Sequence, residues 1–320
     1  MKTTVQQLFE AHYADARSRV ASGKLADKTM ADYHAAFNVL DDAKLSGCYV
    51  KSIGPLHFSK LMECIEKSGR SLRTQKNLVT AIKTVFKWGG PEGMSIVDRV
   101  SFGPRFKAPP LRSIEIQQEE NSPSRFLDRE TILAALDVAS PEMRVAILLG
   151  INCGFYPSDT IAITGEHIRL DGYVSYHEFR RTKTGQKRKA VLWPETIEAI
   201  TRLQNPIDGQ AKLPTDVLLL TKFGLPYAST RNIIRKFSKL LDKLGRRTSG
   251  VSLGSLRHTY ATIVDSIYDQ TMIDLTMGHT NSNIQKRTYR QLNLNELSRL
   301  EVLAETVREW LLGIKQRKVS

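Results

Sequence analysis

Leu256-Arg257-His258-Thr259-Tyr260-Ala261-Thr262, followed by Met277-Gly278-His279 and then by Tyr289, is the stretch on which the reading of this chain turns. Arginine, histidine and tyrosine come in an order that suits a phenol attacking a phosphate of DNA. A phenol with an ordinary pKa of ~10 is a poor nucleophile at neutral pH. It becomes competent where cations stabilise the charge on the attacked group and a base or hydrogen-bond partner stands close by. Arg257 has the planar fork that holds two non-bridging oxygens at once. His279 can hydrogen-bond a phosphate or relay a proton. Taken singly, each piece has a plainer reading: a buried helix, and a core aromatic at Tyr289.

Upstream lies a second group of basic residues, Arg180-Arg181-Thr182-Lys183-Thr184-Gly185-Gln186-Lys187-Arg188, then Val191-Leu192-Trp193-Pro194. Tyr173–Phe179 and Lys189–Trp193 alternate as strands on either side of Thr184-Gly185, which predicts a hairpin. Positions 180–190 hold six basic residues and no acid. They read either as an exposed charged tip or as a flexible basic finger that enters a groove and delivers Lys183.

These three motifs, in this order, resemble the tyrosine recombinases, the phage integrase family. That family's C-terminal signature runs roughly H-x-L-R-H-T-x-A-T, then L/M-G-H, then the nucleophilic tyrosine. The resemblance extends over nearly the whole chain. It implies a mainly α fold with a small β-sheet: an N-terminal helical, SAM-like core-binding domain (residues 1–105), a linker (106–124), and an α+β catalytic domain with a C-terminal helix (125–320). It implies site-specific cleavage and rejoining of DNA through a 3′-phosphotyrosyl link, as in integration by a mobile genetic element. Tyr289 would be the nucleophile, Arg257 the phosphate-binding cation, Lys183 the general acid toward the leaving 5′-hydroxyl and His279 the assisting group. Double-stranded DNA would be the partner, bound by a homo-oligomer, dimer to tetramer. Asp159 and His258 would be structural.

The departures are as specific as the matches. Where the family carries a T-G-L-R-x-x-E string, this chain has Cys153-Gly154-Phe155-Tyr156-Pro157-Ser158-Asp159. The acid is kept and the arginine position holds Tyr156. The histidine expected three residues before Arg257 is Gly254. Loss of one preorganised donor typically costs on the order of 10²–10³ in rate. A catalytically impaired DNA-binding relative is therefore the alternative, unless Arg144, Arg180 or Arg181 supplies the missing cation.

Composition agrees with a polyanionic partner. The chain has 320 residues, enough for two domains, and a formal net charge of +14. No stretch has the length of a membrane span, and the N-terminus has no apolar signal core. Cys48, Cys64 and Cys153 are scattered thiols without metal-ligand spacing, which fits a reducing cytoplasm. No phosphate-binding loop, dinucleotide fingerprint or zinc motif is present, so no cofactor or metal is expected.

Residues 1–100 read as four or five helices. Phe58, Leu61, Met62 and Ile65 mark one that stops at Ser68-Gly69. Ser71 caps the next, which carries Leu78, Ile82, Val85 and Phe86 inward and stops at Gly89-Gly90. Arg73, Lys76 and Lys83 lie on its other faces, with no acid between Arg70 and Lys87, and are expected to meet phosphates. Residues 101–124 lose the periodicity and read as a tether. Helices follow Asp128 and Ser140-Pro141. Residues 229–247 form an amphipathic helix whose Arg231, Arg235 and Lys239 are candidate DNA contacts, as are Arg180 and Arg181 in the hairpin. A last helix from about Asn295 to Leu312 has an apolar face fit to dock on its own domain or on a neighbouring protomer.

Overall fold

The computed structural model describes residues 2–25, 27–121, 124–170, 172–181, 185–204, 217–279 and 295–313. The chain falls into two units, Met1–Ser122 and Pro123–Ser320.

In the first unit, α1 (Val5–Ala21) starts at a capping box in which Thr4 and Gln7 satisfy each other's backbone amides. It is followed by α2 (Asp27–Asp42), α3 (Pro55–Lys67) and α4 (Leu72–Gly89). Ser71 caps α4 by accepting from the Thr74 amide, as its spacing predicts. Leu8, Phe9, Leu40, Phe58, Leu61, Ile65, Ile82 and Val85 form a dry centre. Phe58 meets Phe86 edge-on at 5.5 Å.

The stretch expected to be a loose tether is partly built into this unit. Phe102 and Phe106 lie 4.7 and 5.1 Å from the Phe58 ring. Beyond them runs a further helix, α5 (Leu111–Asn121). Its Ile114 is fully buried, and Gln117 accepts from the Leu72 amide at 2.7 Å. One buried apolar residue in a polar helix is too faint a period to read from sequence.

The second unit is built around α7 (Pro141–Cys153), whose residues Val145 to Cys153 are all buried. Ser140 caps it with Pro141 at its first position, and α6 (Arg129–Val138) is capped by Asp128. After α8 (Pro157–Ala162) come β1 (Ile168–Arg169), β2 (Tyr176–Arg180) and β3 (Lys187–Val191), a three-stranded antiparallel sheet in that order. The hairpin register pairs Tyr176 with Val191 and Phe179 with Arg188. Buried Asn152 ties α7 to the sheet: its Nδ2 donates to Val191 O at 2.9 Å, and its Oδ1 accepts from the Trp193 amide at 2.9 Å. Then follow α9 (Pro194–Gln204), α10 (Thr230–Lys243), α11 (Ser255–Val264), α12 (Gln270–Met277) and α13 (Glu296–Leu312).

The C-terminal helix docks on its own unit. Leu300, Leu303, Ala304, Val307 and Leu311 enter the core. The Trp193 indole donates to Ala304 O at 2.8 Å, and Lys189 pairs with Glu296 at 2.9 Å. Among the described residues no helix is long and apolar enough to cross a membrane.

His177 on β2 is fully buried between Phe155 and Phe179, and neither ring nitrogen has a hydrogen-bond partner among the described residues. Desolvation first, then the Arg188 charge, holds its pKa well below the ordinary value. Below pH ~6.5 the unfolded chain therefore takes up a proton that the folded chain refuses. The stability this histidine contributes is complete above that pH and is lost as pH falls toward the folded value. Chemical denaturation between pH 7 and pH 5 should show a loss approaching ~1.4 kcal/mol per pH unit from this residue. His177→Leu should flatten that part of the profile; an unchanged slope would mean that the group is not buried neutral.

Candidate active site

Two helices of the second unit end side by side, and both endings are glycine in the left-handed region. α7 terminates at Gly154 (φ +60°) and α12 at Gly278 (φ +60°). Helix C-termini leave carbonyls without intrahelical partners and carry partial negative charge. Arginines fill that demand here. Arg188, from β3, donates from Nη2 to Cys153 O (2.7 Å) and Gly154 O (3.2 Å), and from Nε to Thr276 O (2.7 Å). Its Nη1 meets Asp159 Oδ2 at 2.6 Å. The side chain is fully buried, and desolvation lowers its pKa to about 10, so it stays charged at neutral pH.

Arg257, from the first turn of α11, completes the set. It donates to Gly154 O at 2.7 Å, to Met277 O at 2.8 Å, and to His279 Nε2 at 3.0 Å. Burial pushes its pKa down, an effect opposed chiefly by the Tyr156 phenol. The Tyr156 ring lies 4.3 Å from the Arg257 guanidinium and 5.3 Å from that of Arg181. Arg181 reaches Asp159 Oδ1 from Nε at 3.2 Å. Glycine is required at 278 for space as well as for φ. A Cβ there would stand 2.7 Å from Arg188 Cγ and 2.8 Å from Arg181 Cδ.

His279 follows that glycine. Its Nε2 accepts from Arg257, so the proton of the neutral ring sits on Nδ1, 3.6 Å from Asp274 Oδ1. Desolvation first, then Arg257, lowers its pKa below the ordinary histidine value. The ring is held neutral, with its basic nitrogen toward the arginine.

The other residues expected at the site divide clearly. Tyr289 and Lys183 lie outside the described residues. Asp159 supports the site through Arg188 and Arg181 rather than by a direct bond to Arg257. His258 is exposed on α11 and not part of the core. Tyr260 is buried, with its phenol pKa raised by desolvation, and burial does the same to the Cys153 thiol. Neither is a nucleophile. Among the described residues no cluster of His, Cys, Asp or Glu could hold a metal ion.

The hairpin is less of a finger than its composition suggests. Arg188 points into the core, Lys187 pairs with Glu178 at 3.0 Å, and Lys189 pairs with Glu296. Arg180 is exposed and donates to Gly185 O at 3.2 Å. On α10, Arg231, Arg235 and Lys239 are all exposed and, four residues apart, share one face, without an ion-pair partner among the described residues. On α4, Arg73 is exposed and Lys76 half-buried, whereas Lys83 sits over Phe102 and Phe106 at 5.5 and 5.7 Å. Sequence reasoning missed the burial of Arg188. Its signal was the alternation of β3, which puts Arg188 and Ala190 on the same inward face.

No protein-family model matches the sequence, and no curated protein matches it either. Solved structures do. The Tn1549 transposon integrase in complex with transposon right end DNA is 17% identical, with 94% of this chain and 98% of that one covered and a TM-score of 0.63. A lambda integrase dimer bound to a COC′ core site is 14% identical, covering 99% and 80%, with a TM-score of 0.60. The XerH site-specific recombinase bound to palindromic difH is 15% identical, covering 80% and 72%, with a TM-score of 0.57. At these identities the likeness is one of fold. The fold expected from the resemblance, mainly α with a small antiparallel sheet, is the fold found.

Arg188→Met should destabilise the second unit by ~3–5 kcal/mol, because carbonyls of two helix ends and part of Asp159 lose their partner in a dry site. Denaturant unfolding of the full chain checks this. A loss under ~1 kcal/mol would show that the helix ends find other donors.

Proposed function

We propose that the chain is a DNA strand transferase of the integrase type, which cuts and rejoins duplex DNA at a specific site. The observation that carries the reading is the bonded pair Arg257 and His279, placed between two helix ends in a recombinase-like fold. Five N–H groups belong to a guanidinium; carbonyls and His279 take three of those on Arg257, and the Tyr156 hydroxyl is a further hydrogen-bond partner. In this reading, what the guanidinium has left, together with any bond it exchanges, holds the non-bridging oxygens of a scissile phosphate.

In this reading Tyr289 attacks phosphorus. A bond forms between its phenolic oxygen and the phosphorus, and the bond to the 5′-oxygen breaks, leaving a 3′-phosphotyrosyl link. Lys183 protonates the departing 5′-oxygen. His279, held neutral, has an Nδ1–H to donate to the phosphate; to accept the phenol's proton its Nε2 must first give up the bond from Arg257. The phosphoester energy stays in the covalent link, so rejoining is the reverse reaction and needs no nucleotide. Arg231, Arg235 and Lys239 on α10, Arg73, Lys76 and Lys83 on α4, and Arg180 and Arg181 would carry the duplex by its phosphates. The similar integrases are complexes with DNA, one of them a dimer on its core site, which supports a duplex partner and assembly of protomers upon it.

A second reading is favoured by one observation: Tyr156 occupies the place expected of an arginine, and Gly254 that of a histidine. On that reading the chain keeps DNA binding and has lost cleavage.

Two outcomes test the first reading. On a nicked suicide duplex containing the chain's own site, wild type should trap a covalent, SDS-resistant adduct. Tyr289→Phe should bind the same duplex and form none. Binding without any adduct from wild type would establish the second reading instead. Duplex affinity should also fall roughly 10³–10⁵-fold between ~50 and ~200 mM salt if about six to ten phosphates are contacted. A flat salt titration would mean that the basic faces serve only solubility.

A further inference from the structure

The geometry points to Arg181 as a second phosphate-binding cation of this site, with Tyr156 as the platform that positions it beside Arg257. The inference rests on the strand-transferase reading for its catalytic meaning, but its anion-binding content stands separately. Three guanidinium groups, those of Arg181, Arg188 and Arg257, gather around one carboxylate, Asp159, and one ring, Tyr156. The next acid, Asp274, is engaged by Gln270 at 2.8 Å and lies 3.6 Å from His279. The guanidinium charges act against one another, Arg181 on Arg257, and Arg257 and Arg181 on Arg188. Positive charge concentrated in a site this enclosed, with so little acid, is relieved by an anion.

The three arginines are not equivalent. Arg188 is fully buried, and every nitrogen of its guanidinium is bonded to a carbonyl or to Asp159. It has nothing to offer a ligand. Arg181 spends only Nε, on Asp159, and its side chain makes no other hydrogen bond among the described residues. Its Nη groups are therefore available in the fork that binds two phosphate oxygens. The hairpin holds the residue in place through both backbone groups: the Arg181 amide donates to Gln186 O at 2.9 Å, and its carbonyl accepts from the Gly185 amide at 2.8 Å. The Tyr156 ring has both the Arg181 and the Arg257 guanidinium within 5.3 Å of its centroid, and the charge of Arg181 acts on Arg257, so the two groups belong to one site. The other arginines considered for this role are placed elsewhere: Arg144 donates to Leu136 O at 2.8 Å, and Arg180 faces solvent. The cation missing at position 156 is thus supplied from the hairpin, and the tyrosine there has become its seat.

The test uses the full chain and two probes. The first is inorganic phosphate, titrated while side-chain Nε–H resonances are followed. Phosphate should bind wild type, and Arg181→Ala and Arg257→Ala should each weaken it by ~10-fold or more. Arg202→Ala, on the exposed face of α9, should leave the affinity unchanged. Tyr156→Phe should retain it, whereas Tyr156→Ala should lose part of it as the platform goes. Arg181→Lys, which keeps a charge able to reach Asp159, guards against simple misfolding and should bind phosphate between wild type and the alanine variant. Unchanged phosphate affinity in Arg181→Ala overturns the assignment. The second probe is the suicide duplex under single-turnover conditions at saturating protein. Arg181→Ala should form adduct ~10²-fold more slowly than wild type. A neutral methylphosphonate at the scissile position should remove most of that difference, since no charge is left to bind. Tyr156→Arg should give no gain, because the place is filled. Cleavage by Arg181→Ala at the wild-type rate, or a clear gain in Tyr156→Arg, also overturns it. If no protein forms adduct but phosphate affinity still depends on Arg181, the strand-transferase reading fails and the anion site stands.

Discussion

The second unit depends on the buried bond between Arg188 and Asp159. One guanidinium, carried by β3, there joins the end of α7 and the start of α8, which follow each other in the chain, to the distant end of α12. The arrangement answers a demand created by the helices themselves. Two C-termini brought together in a dry core present unpaired carbonyls of like partial charge, and only a cation with several directed donors satisfies both. A lysine, with a compact charge and no fork, would leave carbonyls unmet. Taking such an ion out of water is costly, which is why nearly every hydrogen-bonding direction of Arg188 is used.

From that bond the rest of the site follows. With the helix ends fixed, Gly154 and Gly278 set the spacing of the carbonyls that Arg257 reaches, and His279 is carried in directly after the second glycine. Asp159 has a second oxygen to spare, and Arg181 takes it. A single carboxylate thus anchors one arginine for structure and a second at the edge of the site. Removal of the acid would loosen both, so stability and the placement of Arg181 are coupled through one residue.

Much of this was legible in the chain. Local rules with a strong period or cap were visible: Ser71 before α4, Ser140-Pro141 before α7, the amphipathic stripe of α10. The order of Arg257, Gly278 and His279 marked residues that the structure brings together, and Asp159 was marked as a supporting acid; Tyr289 lies outside the described residues. What stayed hidden was faint or non-local. Helix α5 buries too little to show a period, and Phe102 and Phe106 look like linker residues until Phe58 is beside them. Read as composition, the hairpin was a basic finger or an exposed charged tip, yet Arg188 is among the most deeply buried side chains of the described residues.

The sequence by itself determined the strongly periodic helices, the hairpin and the chemistry available, because capping, turn formation and hydrophobic period act over a few residues. Which arginine serves the core and which lies at the edge of the site was decided only by the tertiary structure. The charge on Arg188 and that on Arg181 are the same by composition. Only strand register, the meeting of two helix ends and the second oxygen of Asp159 distinguish them, and each of these depends on residues distant in the chain.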